Sequence, residues 1–437
     1  MQFRSTISSA SLVSFKDAIL HTLPQEGGLY VPASVMDMRQ FFLYMDTDTS
    51  FPELVTTVAP VLLQGELNPF SASRVAESAY DFEPELQILD EGLSLLNLFN
   101  GPTGVFKDFG IAFLAAVMEE LLKNSGKAMV ISATRGDTGV SISHAFRGRK
   151  GITSVMLYPS GPIRGLDPES FVPNGGNIIP IQVKGTFDDC QRLVKAVIND
   201  RPFAERYSIT SSNAINPGRL LPQTFYYLYA FIKIKKLLKG DLIFSVPSGN
   251  FGNLIAGLYA WKFGMPVSGF IAAMNANNAF GDFIQGKPFR PKPLIITNSP
   301  ALDVSMPENY ERLQSFYEEA PAVMRNMVFP ATASNASTLI AMEKMWKKYG
   351  VFVDPHTAVG LAAAEQIGAT MGYSDQKIHT VVLATGHPAK EALAVTKATG
   401  QNIHIPEKLQ SLQKPADPIA LIEPELDAVE GAIASCF

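Results

Sequence analysis

Residues 242–262 read LIFSVPSGNFGNLIAGLYAWK, which is a short apolar run, a glycine turn and a longer apolar stretch. The run predicts a β-strand over 242–246, and the stretch after the turn predicts a helix over 252–262. Glycine lets the backbone between them turn tightly with positive φ, so successive N–H groups can converge. Because the helix adds unpaired N–H donors and the positive end of its dipole, this turn can hold an anion.

The same alternation of short strands and longer helices dominates the chain from about residue 90 onward. It predicts an α/β fold with parallel sheets and right-handed crossovers. The other predicted strands are 128–133, 152–158, 178–183, 267–272 and 379–384, and the other predicted helices are 110–123, 186–199, 218–238, 333–348 and 357–371. Because residues 1–85 lack this alternation, we expect an N-terminal lobe (1–85), a smaller α/β domain (86–215) and a larger α/β domain (216–437).

The composition is that of a globular protein, with 46% hydrophobic and 18% charged residues among 437. A net charge of −5 gives no electrostatic support for a nucleic-acid or anionic-membrane partner. The two cysteines, Cys190 and Cys436, cannot build a disulfide framework, and no residue spacing indicates a metal site. Since the first residues lack the pattern of a secretory signal, we expect a cytoplasmic protein.

A second strand–turn–helix junction occurs after the predicted strand 128–133, at Thr134-Arg135-Gly136-Asp137-Thr138-Gly139. Ligands of parallel α/β sheets bind beyond the carboxyl ends of the strands, where both turns are expected to lie. Neither turn has the spacing of a dinucleotide fingerprint or a Walker loop, which disfavours those ligands. For either turn alone, a plain connection between strand and helix is the alternative interpretation.

A third informative stretch, Asn100-Gly101-Pro102-Thr103-Gly104-Val105-Phe106-Lys107-Asp108-Phe109-Gly110, leads into a predicted helix. Lys107 lies at the helix entrance between two aromatic residues, where the helix dipole and burial would both lower the pKa of its amine. A neutral amine is what a Schiff-base lysine requires, although a surface lysine is the alternative. One activated amine and two anion-binding turns together describe a site for an amino acid and a phosphate-bearing cofactor.

At these residues the sequence resembles the threonine synthase family in its longer bacterial and fungal form. That family belongs to the fold type II (tryptophan synthase β-like) pyridoxal 5′-phosphate enzymes, which implies two open, mostly parallel sheets flanked by helices, plus the N-terminal lobe. The similar segments, spread over nearly the whole chain, are Val13–Phe15, Gly27–Pro32, Gly101–Thr103, Phe106–Phe109, Gly136–Gly139, Tyr158–Pro159, Gly175–Asn177, Asn213–Asn216, Arg219–Leu220, Pro247–Gly252, Asp354–Ala358 and Thr385–Lys390.

The resemblance implies roles for three groups of residues. Lys107 would carry pyridoxal phosphate as a Schiff base in the smaller α/β domain and would shuttle protons. The residues implied for the rest of the cofactor are Gly249, Asn250, Phe251 and Asn253 at its phosphate and Thr385 at its pyridine nitrogen. A hydroxyl partner there suits elimination and replacement better than transamination. The residues implied for the substrate carboxylate are Thr134, Arg135, Gly136, Asp137 and Thr138.

The implied reaction converts O-phosphohomoserine and water to L-threonine and phosphate, the last step of threonine biosynthesis. Lys107 would remove a proton from Cα and then one from Cβ, phosphate would leave from Cγ, and water would add at Cβ. Two arginines depart from the family pattern, because Arg135 and Arg164 stand where the family usually has serine, while Ser160 replaces a common basic residue. We hypothesise that the two arginines bind the substrate phosphate.

Two other functions stay open at this point. One is a pyridoxal-phosphate-dependent lyase or dehydratase that performs β-elimination on phosphoamino acids, and the other is an inactive cofactor-binding or small-anion-binding protein. We expect His356 to be structural, whereas His387 could line the cofactor ring. The expected partner is a small phosphoamino-acid substrate, with no nucleic acid and no membrane, and the resemblance favours a monomer or a homodimer.

Overall fold

Short strands separated by helices run through the whole chain. The computed structural model describes residues 1–124, 126–134, 136–160, 175–371, 377–412 and 418–436. The strands in these ranges are β1 (Gln2–Ser5), β2 (Val13–Ser14), β3 (Tyr30–Pro32), β4 (Glu85–Asp90), β5 (Leu93–Asn97), β6 (Ala128–Ala133), β7 (Ile152–Pro159), β8 (Ile178–Val183), β9 (Ile209–Ser211), β10 (Asp241–Pro247), β11 (Gly269–Met274), β12 (Val328–Thr332), β13 (Ile378–Ala384) and β14 (Ala420–Ile422).

Helices connect most of these strands. In the same ranges they are α1 (Phe15–His21), α2 (Arg39–Tyr44), α3 (Phe51–Leu62), α4 (Pro69–Ala79), α5 (Lys107–Leu122), α6 (Asp137–Phe146), α7 (Phe187–Asn199), α8 (Arg201–Tyr207), α9 (Pro217–Leu220), α10 (Thr224–Ile234), α11 (Gly252–Lys262), α12 (Ala279–Ile284), α13 (Tyr310–Glu319), α14 (Pro321–Met327), α15 (Asn335–Tyr349), α16 (Pro355–Met371), α17 (Ala392–Thr399), α18 (Glu407–Gln410) and α19 (Leu426–Ala434), with 3₁₀ turns at Leu221–Gln223, Pro300–Leu302 and Pro388–Glu391. Within the described part of the chain, none of them combines the length and the apolar character of a membrane span.

The largest sheet has six strands in the order β12-β11-β10-β13-β5-β4. All neighbouring pairs are parallel except β4 with β5 at the edge. Every residue of β11 is buried, and so is every residue of β10 except Asp241, because helices cover both faces of a parallel sheet. The glycine turn of residues 248–251 follows β10 and therefore lies at the carboxyl edge of this sheet.

The second α/β sheet has five parallel strands in the order β14-β8-β7-β6-β9. Its interior strand β6, between β7 and β9, is buried over its whole length. Helix α7 packs on β6 and β7, and its apolar side chains, including Leu193 and Val197, complete the core of this unit. The turn after β6 is the one that contains Gly136 and Asp137.

The N-terminal lobe consists of the antiparallel sheet β2-β1-β3 with helices α1 to α4. Helix α3 begins with a capping box, in which the Ser50 hydroxyl and the Glu53 carboxylate satisfy each other's backbone N–H groups. The ring of Phe51 packs edge-on against Tyr80, Phe109 and Tyr229. The lobe therefore shares one hydrophobic core with α5 and α10 of the α/β body.

The predicted α/β alternation is confirmed, and each of the six predicted strands is present with bounds that differ by at most two residues. The structure also contains β1 to β5, β9, β12 and β14, which were not predicted. The helix predicted over 218–238 is wrong in its extent, because the chain forms α9, a 3₁₀ turn and then α10, which ends at Ile234. Pro222 lacks an N–H and so interrupts the regular helical hydrogen bonds.

Two segments pair across the expected domain boundaries. Strand β5, in the range expected for the smaller domain, lies beside β13 in the six-stranded sheet. Strand β14, in the range expected for the larger domain, lies at the edge of the five-stranded sheet. The boundaries at 85/86 and 215/216 stay a prediction, but the two sheets exchange strands across them.

Candidate active site

A cavity of about 840 Å³ lies where the carboxyl ends of the two parallel sheets meet. Lys107, the turn of residues 249–253 and Thr385 all line it, and so do Gly136–Thr138 from the other sheet. The residues that sequence reasoning placed at separate strand ends are therefore gathered around one space, large enough for a cofactor together with a small substrate.

Lys107 lies at the entrance of a helix, as predicted, but α5 begins at Lys107 itself and not at residue 110. Its loop is hydrogen-bonded to the segment after β13. The Phe106 N–H donates to the Thr385 carbonyl at 2.9 Å, and the His387 N–H donates to the Gly104 carbonyl at 2.9 Å. These two bonds run in opposite directions between the segments, so the lysine loop is fixed beside Thr385 although the two are distant in sequence.

Asp108, the neighbour of the lysine, shapes the loop from inside. Its buried carboxylate accepts hydrogen bonds from the Thr103 N–H at 2.8 Å and from the Thr103 hydroxyl at 2.6 Å. Gly101 is required here, because a Cβ at that position would lie 2.6 Å from an Asp108 oxygen. Burial raises the pKa of Asp108, although the bonds from Thr103 act in the opposite direction. The loop that presents Lys107 is thus held by its own side chains.

The turn after β10 is held in shape by contacts of its own side chains and backbone. Phe251 adopts a left-handed conformation, with φ of 57°, and its buried ring packs on Phe280. The Asn253 amide donates to the Pro247 carbonyl at 2.8 Å and so closes the turn. Gly249 lies against the 3₁₀ turn of residues 300–302, where a Cβ would come within 2.9 Å of the Leu302 Cα. Together these contacts direct the backbone of the turn and the N-terminus of α11 toward the cavity.

The turn after β6 has a different internal support. The Thr134 hydroxyl oxygen accepts hydrogen bonds from the Gly139 N–H at 2.7 Å and from the Gly136 N–H at 3.2 Å. Thr134 is fully buried and does not line the cavity, whereas Gly136, Asp137 and Thr138 do. Thr134 therefore holds the turn in place from beneath.

Arg135 and Arg164 both lie outside the described residues. The structure therefore gives no geometry for the arginine clamp that the sequence suggested. Ser160, the third position at which the sequence departs from the family pattern, lines the cavity.

Asp137 connects two lysines within the cavity. One of its carboxylate oxygens is 2.9 Å from the Lys390 Nζ, and the other is 3.9 Å from the Lys107 Nζ. Burial alone would raise the pKa of Asp137, but the two ammonium groups hold it well below its usual value. Lys390 also donates to the Thr103 carbonyl at 3.1 Å, so it joins the carboxylate to the loop of Lys107.

Sequence reasoning assigned no role to several charged residues of this wall. Lys390 and Glu391 lie in the 3₁₀ turn Pro388–Glu391 that follows β13. The available signal was their position after a strand end, with Lys390 also in the family-like segment Thr385–Lys390. Burial raises the pKa of Glu391 to about 7, with His356 acting in the opposite direction. Arg219, a buried arginine on α9, also lines the cavity.

The two histidines singled out from the sequence lie in different surroundings. His356 is largely buried in the cavity wall, where its Nδ1 bonds to Asp354 at 2.5 Å and its Nε2 accepts from the Ala301 N–H at 3.1 Å. These bonds hold the 3₁₀ turn of residues 300–302 in place, which is a structural role. His387 packs against Phe99, and its Nδ1 accepts from the Ala389 N–H, so it caps the turn after Thr385.

The fold and the cavity define an enzyme of the pyridoxal-phosphate dependent class, whose family model, "Pyridoxal-phosphate dependent enzyme", matches residues 89–386. Two further models, "Threonine synthase N terminus" and "Threonine synthase, C-terminal", match residues 2–80 and 357–433. The chain belongs to the threonine synthase family. The predicted family, fold class and pyridoxal phosphate cofactor are thereby confirmed.

Individual relatives agree with this assignment along nearly the whole chain. The threonine synthase of Escherichia coli is 32% identical over 91% of this chain and 91% of its own length. A structure of threonine synthase from Brucella melitensis with bound PLP superposes with a TM-score of 0.88 at 28% identity, covering 100% of this chain and 99% of that one. The yeast threonine synthase structure gives a TM-score of 0.86 at 28% identity, with 99% and 98% covered.

Proposed function

We propose that this chain converts O-phosphohomoserine and water to L-threonine and phosphate. The observation that carries the proposal is that Lys107, the turn of residues 249–253 and Thr385 line one cavity. An amine, an anion-binding turn and a hydroxyl are the three groups that pyridoxal phosphate needs at its aldehyde, its phosphate and its ring nitrogen. Membership of the threonine synthase family selects the reaction among those that this cofactor supports.

The described residues fit the cofactor at each of these three positions. Gly249 has no room for a side chain against Leu302, so the turn packs closely on the 3₁₀ turn of residues 300–302 and its backbone remains in the cavity wall, where its N–H groups can meet a phosphate. The Thr385 hydroxyl has no hydrogen bond to another residue in the described part of the chain, and it is free to meet the ring nitrogen. We therefore propose that the cofactor is held by Lys107, Gly249, Asn250, Phe251, Asn253 and Thr385.

Bound pyridoxal phosphate supplies the electron sink that allows a proton to leave the substrate Cα. Lys107 lines the cavity and can act as a base when its amine is neutral. We propose that it removes the Cα proton and then a Cβ proton. The Asp137 carboxylate is held by Lys390 at 2.9 Å and lies 3.9 Å from the Lys107 Nζ. Its negative charge can stabilise the lysine side chain whenever the amine carries a proton.

The substrate carboxylate needs donors on the side of the five-stranded sheet. We propose that the first turn of α6 supplies them, with Gly136 and Thr138 in the wall, since helix N-termini bind anions. Asp137 in the same turn would repel a carboxylate, and its ion pair with Lys390 offsets that charge. The proposal that Arg135 and Arg164 bind the substrate phosphate is kept, and it depends on sequence alone.

Product analysis tests the proposed reaction. The purified protein, saturated with pyridoxal phosphate, should release one phosphate and form one L-threonine from each O-phosphohomoserine. Lys107→Ala should abolish turnover, and borohydride should fix the cofactor covalently to the parent protein but not to this variant. A keto acid with ammonia as the main product would show that phosphate leaves from Cγ without addition of water at Cβ, and would refute the proposal.

The arginine clamp has its own test with a matched control. Arg135→Ser should raise the KM for O-phosphohomoserine sharply, whereas Arg290→Met, at an exposed residue that does not line the cavity, should leave it unchanged. If Arg135→Ser turns over the substrate as the parent does, the arginine is not part of the phosphate site.

A further inference from the structure

Lys390 lines the cavity without a step of its own in the proposed reaction. Its Nζ is 2.9 Å from an Asp137 oxygen and donates to the Thr103 carbonyl at 3.1 Å. Only 18% of its side chain is exposed. The ammonium group is thus held at two points, next to a carboxylate that also faces Lys107.

The backbone places Lys390 and Lys107 in a fixed relation. Lys390 lies in a 3₁₀ turn, where its N–H donates to the His387 carbonyl at 3.0 Å. The His387 N–H in turn donates to the Gly104 carbonyl at 2.9 Å, in the loop that leads to Lys107. The bond from Lys390 to Thr103 joins the same turn to the same loop. Because backbone and side-chain bonds both connect them, the fold itself sets the distance between the two lysines.

Asp137 lies between the two lysines. Its oxygen that faces Lys107 is 3.9 Å from the Nζ, which is longer than the 2.9 Å to Lys390. Burial opposes the charge of Asp137, and Lys390 does more than Lys107 to keep its pKa low. The oxygen that faces Lys390 is buried and accepts no well-directed hydrogen bond in the described part of the chain, so the ion pair compensates its charge. The carboxylate is therefore held mainly by Lys390 and only partly by Lys107.

The remaining charges of the cavity wall do not replace this pairing. Besides Asp137 and the two lysines, the charged or titratable side chains of the described wall are Asp188, Arg219, Asp303, His356, Glu391 and Lys397. His356 faces Asp137, but its Nδ1 is bonded to Asp354 at 2.5 Å. Burial raises the pKa of Glu391 to about 7, so this group carries only part of a negative charge near neutral pH.

We propose that Lys390 is a positioning residue that keeps Asp137 from forming a full ion pair with Lys107, so that Lys107 can lose its proton and act as a base. A lysine paired closely with a carboxylate keeps its proton, because the opposite charge favours the ammonium form. A general base must be neutral when it meets the substrate. With Lys390 in place, Asp137 can stabilise the protonated amine after each transfer without locking it in that state. The proposal rests on the proposed function, because it takes Lys107 to be the base.

The test measures the protonation of Lys107 in cofactor-free protein, in which nothing occupies this amine. Trace acetic anhydride labels neutral amines, and mass spectrometry of the peptides gives the labelling of each lysine as a function of pH. We expect Lys390→Met to raise the midpoint for Lys107 by about 1 pH unit, which means about tenfold less neutral amine at a given pH below it. Lys390→Arg, which can still pair with Asp137, should stay close to the parent. The exposed Lys347 is the internal reference in every sample.

A second background tests whether Lys390 acts through Asp137. Asp137→Asn alone should lower the midpoint for Lys107, and adding Lys390→Met to it should change the midpoint little. In the enzyme loaded with pyridoxal phosphate, the kcat of Lys390→Met should fall near neutral pH and recover at higher pH. A loss of folded structure alone would lower kcat at every pH.

Two results would overturn the inference. An unchanged midpoint in Lys390→Met, with or without a lower melting temperature, would mean that the ion pair only supports the fold. An equal rise in the parent and Asp137→Asn backgrounds would mean that Lys390 acts by its charge alone and not by holding Asp137. Because labelling is measured without turnover, a raised midpoint together with a product other than threonine would refute the proposed function and leave this inference standing.

Discussion

Glu391 should make the folded protein less stable as pH rises, and one substitution should remove this effect. Its carboxyl group lies in the cavity wall, where burial raises its pKa from 4.5 to about 7. His356 and Lys390 oppose this rise, while the carboxylates of Asp137 and Asp354 add to it. The native protein therefore holds the proton of Glu391 more tightly than the unfolded chain does.

The sign and size of the effect follow from this difference. Above about pH 4.5 the unfolded chain loses the proton that the folded state still holds, so the carboxyl group opposes folding increasingly up to about pH 7. At about 1.36 kcal/mol per pH unit, the cost is about 0.8 kcal/mol at pH 5 and about 3 kcal/mol at pH 8. Glu391→Gln cannot ionise and should be more stable than the parent by about these amounts.

Urea unfolding of the cofactor-free protein at pH 5 and pH 8 measures both values. Glu77→Gln, at an exposed position on α4, is the matched control, and its free energy of unfolding should differ from that of the parent by the same amount at both pH values. If Glu391→Gln and the parent differ equally at pH 5 and pH 8, burial does not hold this carboxyl group protonated, and the reasoning fails.

Three further substitutions test other parts of the site and its frame. Gly249→Ala would place a Cβ 2.9 Å from the Leu302 Cα, so it should lower the free energy of unfolding by about 1–3 kcal/mol and weaken binding of pyridoxal phosphate. Gly431→Ala, whose Cβ would meet nothing within 4 Å, should have neither effect. Thermal melting measures the stability, and absorbance titration measures the binding. Arg312→Met should lower the free energy of unfolding by about 3–5 kcal/mol in urea, because it leaves four oxygens without the guanidinium that donates to them, and each lost donor costs about 1 kcal/mol. Arg312→Lys should recover little. Thr385→Val should still bind the cofactor, as its yellow colour would show, but its kcat should fall at least about tenfold because one hydrogen bond is lost. Thr385→Ser should keep most of the parent kcat. An unchanged kcat in Thr385→Val would contradict a contact with the ring nitrogen.

The parallel core could be predicted because its signals are local. Each predicted strand is an apolar run that ends at a glycine or polar turn, and both faces of the sheet are covered, so the pattern is continuous. The strands that were missed give weaker signals. Strand β9 has only three residues, and β4 alternates partly exposed side chains at a sheet edge. Such segments acquire their structure from their neighbours.

The candidate site could be predicted only where a residue type was unusual in its local position. Lys107 at a helix start and the glycines of two turns were of this kind. Arg219 and Lys390 look like ordinary surface cations in the sequence, and their burial depends on packing between distant segments. The neighbourhood of Lys107 and Thr385 likewise follows from the pairing of β5 with β13, which no local pattern encodes.

The exchange of strands between the two sheets has a consequence for synthesis on the ribosome. Leu93 pairs with Thr380, a separation of 380 − 93 = 287 residues, so β5 emerges long before its parallel partner exists. Until β13 is made, the hairpin of β4 and β5 presents an open edge, which is a site for unwanted association. We therefore expect nascent chains truncated before residue 378 to engage chaperones or aggregate, and the finished polypeptide to fold as one cooperative unit.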